Sequence, residues 1–340
     1  MRGLLRAALP ALMYPPDRNV PPLESMQNMD ELRASFKGQS VCVVGGTRGI
    51  GSAIAQTLRA AGARVLVVGR SADASSAEGV AADLFTVSGC LKAVEDIEAK
   101  LTSWESSGTP CAGFCFMVFT VGMWPCPSEP YTADGVDKVI ALDLVARHIL
   151  TTRMYKKGLL ASGCRVMNVL ASGQKFPGFD AQSIRARLEA GVAIATEVER
   201  LDHHSISSAA AILFAVAVAH DAWLQHVAKL LPSICFTSTF PGVLVTDLPK
   251  ASLPSWLIPV LNAAMAPVAD SYEEMGLRHA TILASQHRFH HSDDNREEPT
   301  VRYWAVPLLQ AREGHPLVYD TELARWVYDF AERVVQNHSP

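Results

Sequence analysis

Residues 41–51 read Val-Cys-Val-Val-Gly-Gly-Thr-Arg-Gly-Ile-Gly, an apolar run that meets spaced glycines and passes directly into Ile50, Ile54 and Leu58 at helical spacing. A chain can turn from strand to helix this abruptly only where side chains are missing from the bend. Gly45, Gly49 and Gly51 supply that freedom and leave the amides at the start of the helix open to an anion such as a pyrophosphate. A glycine triplet alone is a weak signal, but one that follows a strand and opens a helix within a βαβ unit is a strong one. The stretch commits the chain to a parallel α/β sheet with a dinucleotide at its carboxyl edge.

The remaining pattern agrees. Strands are expected at Val41–Val44, Arg64–Val68, a third ending at Ala82-Asp83-Leu84, Phe114–Phe119, Arg165–Leu170 and Ser233–Phe240, with a seventh at Leu317–Tyr319. Helices are expected between them at Ile50–Ala61, Leu91–Leu101, Gly135–Thr151, Ala181–Val198 and Ser205–Leu230. This alternation predicts one doubly wound, Rossmann-like α/β domain. The near-continuous apolar runs suit parallel strands buried on both faces. Residues 1–37 read as an N-terminal arm or targeting segment, 38–250 as the nucleotide-binding domain, and 251–340 as a lid and C-terminal extension packed on the same domain.

Composition excludes several classes of function. The formal charge is −4 and the basic residues are scattered, so there is no footprint for nucleic acid. Seven cysteines, an odd number with no paired CxxC spacing, read as a reducing compartment without structural metal. No stretch has the roughly 18 uninterrupted apolar residues of a membrane span. The run Ile206–Ala219 stops at His220 and Asp221 and reads as a buried helix. Residues 253–269 are apolar but broken by Pro254, Pro259, Asn262 and Pro267; a substrate lid, a partner surface and peripheral membrane contact all fit them. The first sixteen residues carry Arg2 and Arg6 and no acid before Asp17. A cytoplasmic location is expected, with mitochondrial import as the alternative.

The glycine spacing, with Val-Gly-Gly-Thr-Arg-Gly-Ile-Gly, resembles the short-chain dehydrogenase/reductase superfamily. Further landmarks follow in family order: Asp83 after the third strand, Phe119-Thr120-Val121-Gly122 in the place of the family's Asn-Asn-Ala-Gly, and Phe240-Pro241-Gly242-Val243 followed by Thr246. The resemblance spans residues 38–250 and implies a nicotinamide cofactor held by Gly45, Thr47, Arg48, Gly49, Ile50, Gly51, Arg70, Asp83, Gly122, Pro241 and Gly242. An acid at the end of strand two would bond the ribose hydroxyls of NAD, but Gly69-Arg70 stands there. Arg48 and Arg70 together suit a 2′-phosphate, so NADP(H) is favoured; two solvated surface arginines are the bland alternative.

The catalytic half departs from the family pattern. The family uses a Tyr hydroxyl as acid or base, a Lys four residues on, a Ser and an Asn; this chain contains no Tyr followed four residues later by Lys. Counting back from Pro241-Gly242 places the Tyr position at Ala211 and the Lys position at Ala215, the Asn position at Asp143, and the Ser position near Ala171, beside Ser172. Tyr155 lies in the wrong element. Candidate substitutes are Ser172, His204 (with His203) and Asp143. Trp124, Trp256 and Tyr272 fit either an apolar pocket or the core. Three readings follow: an NADP(H)-dependent oxidoreductase acting on an unidentified carbonyl or alcohol; a cofactor-binding protein without turnover, since bound ligand alone stabilises a fold; and a scaffold subunit of a larger assembly. The family often pairs through helices at 135–157 and 205–230, which leaves a homodimer or a protein-complex partner open.

Overall fold

A computed structural model describes residues 15–17, 23, 25–106, 112–126, 128–171, 173, 178–192, 206–242, 256–265, 269–285 and 301–339. The described strands are β1 (Ser40–Val44), β2 (Arg64–Gly69), β3 (Gly79–Ala81), β4 (Phe114–Phe119), β5 (Leu160–Val169), β6 (Cys235–Phe240), β7 (Arg302–Ala305) and β8 (Gln310–Arg312). They form one sheet in the order β3-β2-β1-β4-β5-β6-β7-β8. All pairs are parallel except β7 with β8. The strand order turns back between β1 and β4, where Val41 pairs with Phe116 and Val44 with Phe119. A cleft for a ligand opens at such a switch point.

The described helices are α1 (Met29–Phe36), α2 (Gly49–Ala60), α3 (Val87–Ser106), α4, α5 (Ala181–Ala190), α6 (Ile206–Leu230), α7 (Leu257–Met265), α8 (Tyr272–Ala284) and α9 (Thr321–His338). Here α4 denotes three consecutive stretches: Lys138–Ile140, a π-helical turn Ala141–Val145, and Ala146–Lys156. Helices α1, α2 and α8 cover one face of the sheet, over Val41, Val43, Val65 and Val118. Helices α3, α4, α5, α6 and α9 cover the other, over Cys42, Val44, Leu66 and Phe119. Each residue of β1 is therefore buried, as an all-apolar parallel strand requires.

Several elements differ from the sequence pattern, three of them for a plain local reason. The seventh strand is Arg302–Ala305, whereas Leu317–Tyr319 lies in a 3-10 turn, Pro316–Tyr319. Pro316 has no N–H to give a ladder, and His315 caps the turn at the Leu317 amide. The third strand ends at Ala81, three residues short, because Asp83 bends the chain by accepting the Phe85 amide. The helix expected at 135–151 starts at Lys138, where Asp137 caps the Val139 and Ile140 amides, and continues to Lys156.

The described part of the N-terminal arm extends the sheet edge. Asp17 N donates to Ala311 O, Glu313 N to Pro15 O, and Leu23 N to Leu309 O, while Asp17 pairs with Arg302 at 3.3 Å. At the other end of the chain, α9 lies on α4 and α6. Leu323, Val327, Phe330 and Val334 are buried there, and Glu332 bonds both His148 of α4 at 2.9 Å and Arg153 at 3.1 Å. Among the described residues one helical stretch, Ala211–Leu230, is long and apolar enough to cross a membrane, but 78% of its apolar window is buried within the protein, as in a core helix.

Candidate functional site

A cleft of about 580 Å³ opens at the carboxyl ends of β1, β2, β3 and β4. Its floor is the glycine turn, with Gly45, Thr47, Arg48, Gly49, Ile50 and Gly51 all on the wall. Gly45 has φ +92, and a Cβ there would stand 2.7 Å from both Thr120 Oγ1 and the Val121 amide. A Cβ on Gly51 would collide with Thr120 Oγ1 and Gly45 O. The turn is fastened on both sides: Gly45 N donates to Val68 O of β2, and Thr120 donates to Val44 O through its amide at 2.8 Å and its hydroxyl at 3.1 Å. Arg48 occupies the N-cap of α2 without a side-chain cap bond, so the first amides of that helix face the cleft unclaimed by a cap.

One end of the cleft is built from the chain that follows β2 and β3. Arg70 and Ser71 follow β2, and Asp83 and Phe85 follow β3. The Arg70 guanidinium lies 5.2 Å over the Phe85 ring. Neither Arg48 nor Arg70 forms an ion pair among the described residues, and Gly69-Arg70-Ser71 at the end of β2 carries no carboxylate.

The opposite end is apolar, walled by Val121, Gly122, Met123, Trp124 and Leu142. Behind that wall lies a buried ion cluster on α4. Asp143 is fully buried in the π-helical turn and its Oδ1 has no hydrogen-bond partner. Burial pushes its carboxyl up to about 7, against the pull of Arg147 one turn later. Arg147 donates to Val121 O at 2.6 Å, Val169 O at 3.2 Å and Asn168 Oδ1 at 2.9 Å, so one guanidinium braces the carboxyl ends of β4 and β5. Burial lowers Arg147 to about 10, which keeps it cationic at neutral pH.

The structure gathers Gly45, Thr47, Arg48, Gly49, Ile50, Gly51, Arg70, Asp83 and Gly122 around one cleft. Pro241 and Gly242 are not among its lining residues; Gly242 follows β6 and packs against Pro307 of the turn after β7. Ala211 is half-buried and Ala215 fully buried on α6, and neither carries a group that can move a proton. Ser172, His203, His204 and Thr246 lie outside the described residues. Tyr155 is remote from the cleft, its hydroxyl accepting from Ser233 at 3.5 Å. Tyr272, which the sequence left open between pocket and core, lines the cleft: its ring lies 3.6 Å from where a Cβ on Gly49 would stand. Phe85 also lines the cleft and carries no motif in the sequence that marks it. Tyr272 sits 223 residues beyond Gly49 in the chain, so no local pattern links them.

Residues 39–182 match the family described as short chain dehydrogenase. Solved structures with this fold include a short chain dehydrogenase of Shigella flexneri complexed with NADP, 14% identical, with 81% of this chain and 99% of that one covered at TM-score 0.50. Another is a short chain dehydrogenase of Pseudomonas syringae, 16% identical, with 83% and 99% covered at TM-score 0.50. No curated protein sequence matches the chain.

Proposed function

From the match of residues 39–182 to the short chain dehydrogenase family, we propose that the chain is a member of the short-chain dehydrogenase/reductase superfamily, that the cleft holds NADP(H) in preference to NAD(H), and that the protein is an oxidoreductase acting on a carbonyl or alcohol. The observation that carries the cofactor preference is Arg70, placed over Phe85 at the end of β2 with no carboxylate beside it to take ribose hydroxyls. Arg48 and Arg70 offer a 2′-phosphate two guanidinium groups, the amides opening α2 take the pyrophosphate, and Phe85 offers a face to the adenine. A nicotinamide cofactor supplies the hydride. The chain's part at that end is to exclude water with Val121, Met123, Trp124 and Leu142 and to hold the β4 end rigid through Arg147.

A second reading, binding without turnover, rests on Ala211 and Ala215, which leave α6 without the usual acid and cation. Titration with NADPH and NADH by calorimetry tests the cofactor reading, and hydride turnover separates the two. Arg70→Asp is expected to weaken NADPH by on the order of tenfold or more and to move preference toward NADH; an unchanged preference would overturn the assignment. A cytoplasmic location follows as a proposal from the odd number of cysteines without paired spacing, with mitochondrial import, suggested by Arg2 and Arg6, the alternative that cell fractionation decides.

A further inference from the structure

The cofactor reading leaves one buried acid unused. Asp143 Oδ1 lies 3.0 Å from where a Cβ on Gly122 would stand. Gly122 and Leu142 are both on the cleft wall, so a single glycine backbone separates this carboxyl from the apolar end. A side chain at 122 would have to displace the carboxyl or the strand end. Burying an ionised carboxylate with an unpartnered oxygen is unfavourable unless positive charge lies nearby. Arg147 answers only part of that need, because its Nη atoms already bond Val121 O, Val169 O and Asn168 Oδ1.

On the cofactor reading, with Arg70 and Phe85 at the adenosine end and the glycine turn between, this end would receive the nicotinamide ring. The oxidised ring is positively charged and the reduced ring is neutral. We propose that Asp143 is an electrostatic partner of the oxidised nicotinamide, binding NADP+ more tightly than NADPH when the carboxyl is ionised and losing that preference when it is protonated. The inference rests on the cofactor reading above and assigns Asp143 a positioning role, acting across Gly122. Two opposite charges separated by protein with little intervening water interact well beyond contact distance, and linkage makes the effect reciprocal: bound NADP+ holds the carboxyl ionised.

The sign with pH follows from the surroundings. Asp143 is raised to about 7, so the preference is present above that value and fades as pH falls below it. The charged groups that act on it are Arg147 and Asp137; Asp221 and His220 of α6 interact with Arg147 in turn, and the Glu332–Arg153–His148 group lies further along α4 where α9 meets it. Arg147 stays cationic, His220 is held neutral down to about 4, and Glu332 stays ionised down to about 2. None of these three changes charge between pH 6 and 8.

The test is calorimetric or fluorescence titration of the full chain with NADP+ and with NADPH across that range. The quantity read is the ratio of Kd for NADPH to Kd for NADP+, in which titration of the 2′-phosphate common to both forms cancels. In the wild type this ratio is expected to rise by about three- to tenfold from pH 6 to 8. In Asp143→Asn, which keeps the shape and cannot ionise, it is expected to be flat. A flat ratio in the wild type, or an unchanged slope in a folded Asp143→Asn, overturns the inference while leaving the cofactor reading intact. If Asp143→Asn does not fold, the wild-type profile decides alone. Failure of the wild type to bind either form overturns the cofactor reading and this inference with it.

Discussion

Replacing Gly276 with alanine sets two effects of known sign against each other. In an isolated helix, Gly→Ala stabilises by about 0.8–1 kcal/mol because it restricts the unfolded chain. In this protein the new Cβ on α8 would stand 2.7 Å from Ala53 O and 2.8 Å from Thr57 Oγ1, both on α2. The threonine hydroxyl can rotate away, but the carbonyl is fixed in the helix, so α2 and α8 must part by roughly half an ångström to restore ordinary contact. Helix α8 resists that movement. Arg165 holds its far end through Leu283 O at 2.9 Å and Ala284 O at 3.0 Å, and Arg278 ties it to Pro307 O and Asp270. Overpacking of this kind costs about 1–3 kcal/mol, and with the propensity gain set against it the net expectation is a loss of up to about 2 kcal/mol, seen as a fall in Tm of up to a few degrees. The same displacement lifts Tyr272 away from Gly49, so NADPH affinity should fall several-fold alongside stability. Differential scanning calorimetry and NADPH titration of the one variant read both. A rise in Tm, as helix propensity alone dictates, would refute the close-packing argument; a fall in Tm with unchanged NADPH affinity would refute the link between α8 and the cleft.

Stability should also fall with acid. Burial holds His220 and His279 neutral down to about 4, whereas in the unfolded chain each takes up a proton near 6.5, so their contribution is present above 6.5 and lost as pH falls toward 4. Each accounts for about 3 kcal/mol at most, and the raised Asp143 opposes them over much of the same window. Two histidines against one acid give a urea midpoint lower at pH 5 than at pH 7.5; a higher midpoint at pH 5 would contradict the assignment. Because α9 lies on α4 and α6, the full chain is expected to sediment as a monomer, and a stable dimer that further protects α4 and α6 from hydrogen exchange would show that the C-terminal helix does not close that face.

What the sequence determined by itself is local. A strand, a glycine turn and a helix lie within about twenty consecutive residues, so β1, the bend at Gly45 and α2 were legible without any distant contact, and with them the parallel sheet and the dinucleotide cleft. Arg70 was legible for the same reason: the end of β2 is a fixed short distance in sequence from the glycine turn. Ala211 and Ala215 were also plain, because the absence of a Tyr and a Lys at that spacing needs no structure to see.

What only the tertiary structure decided depends on residues far apart in the chain. The four-residue β7 follows a polar stretch and carries too little periodicity to announce itself; it forms because β6 offers an edge on which Thr237 pairs with Arg302. Tyr272 reaches the cleft because Gly276 lets α8 approach α2, a contact between segments more than two hundred residues apart. In sequence Asp143 marks only the family's Asn position and a candidate substitute acid, with no environment attached. Its burial, its orphaned oxygen and its place behind Gly122 come from a π-helical turn packed between α6 and the ends of β4 and β5, where the environment and not the residue type sets the charge.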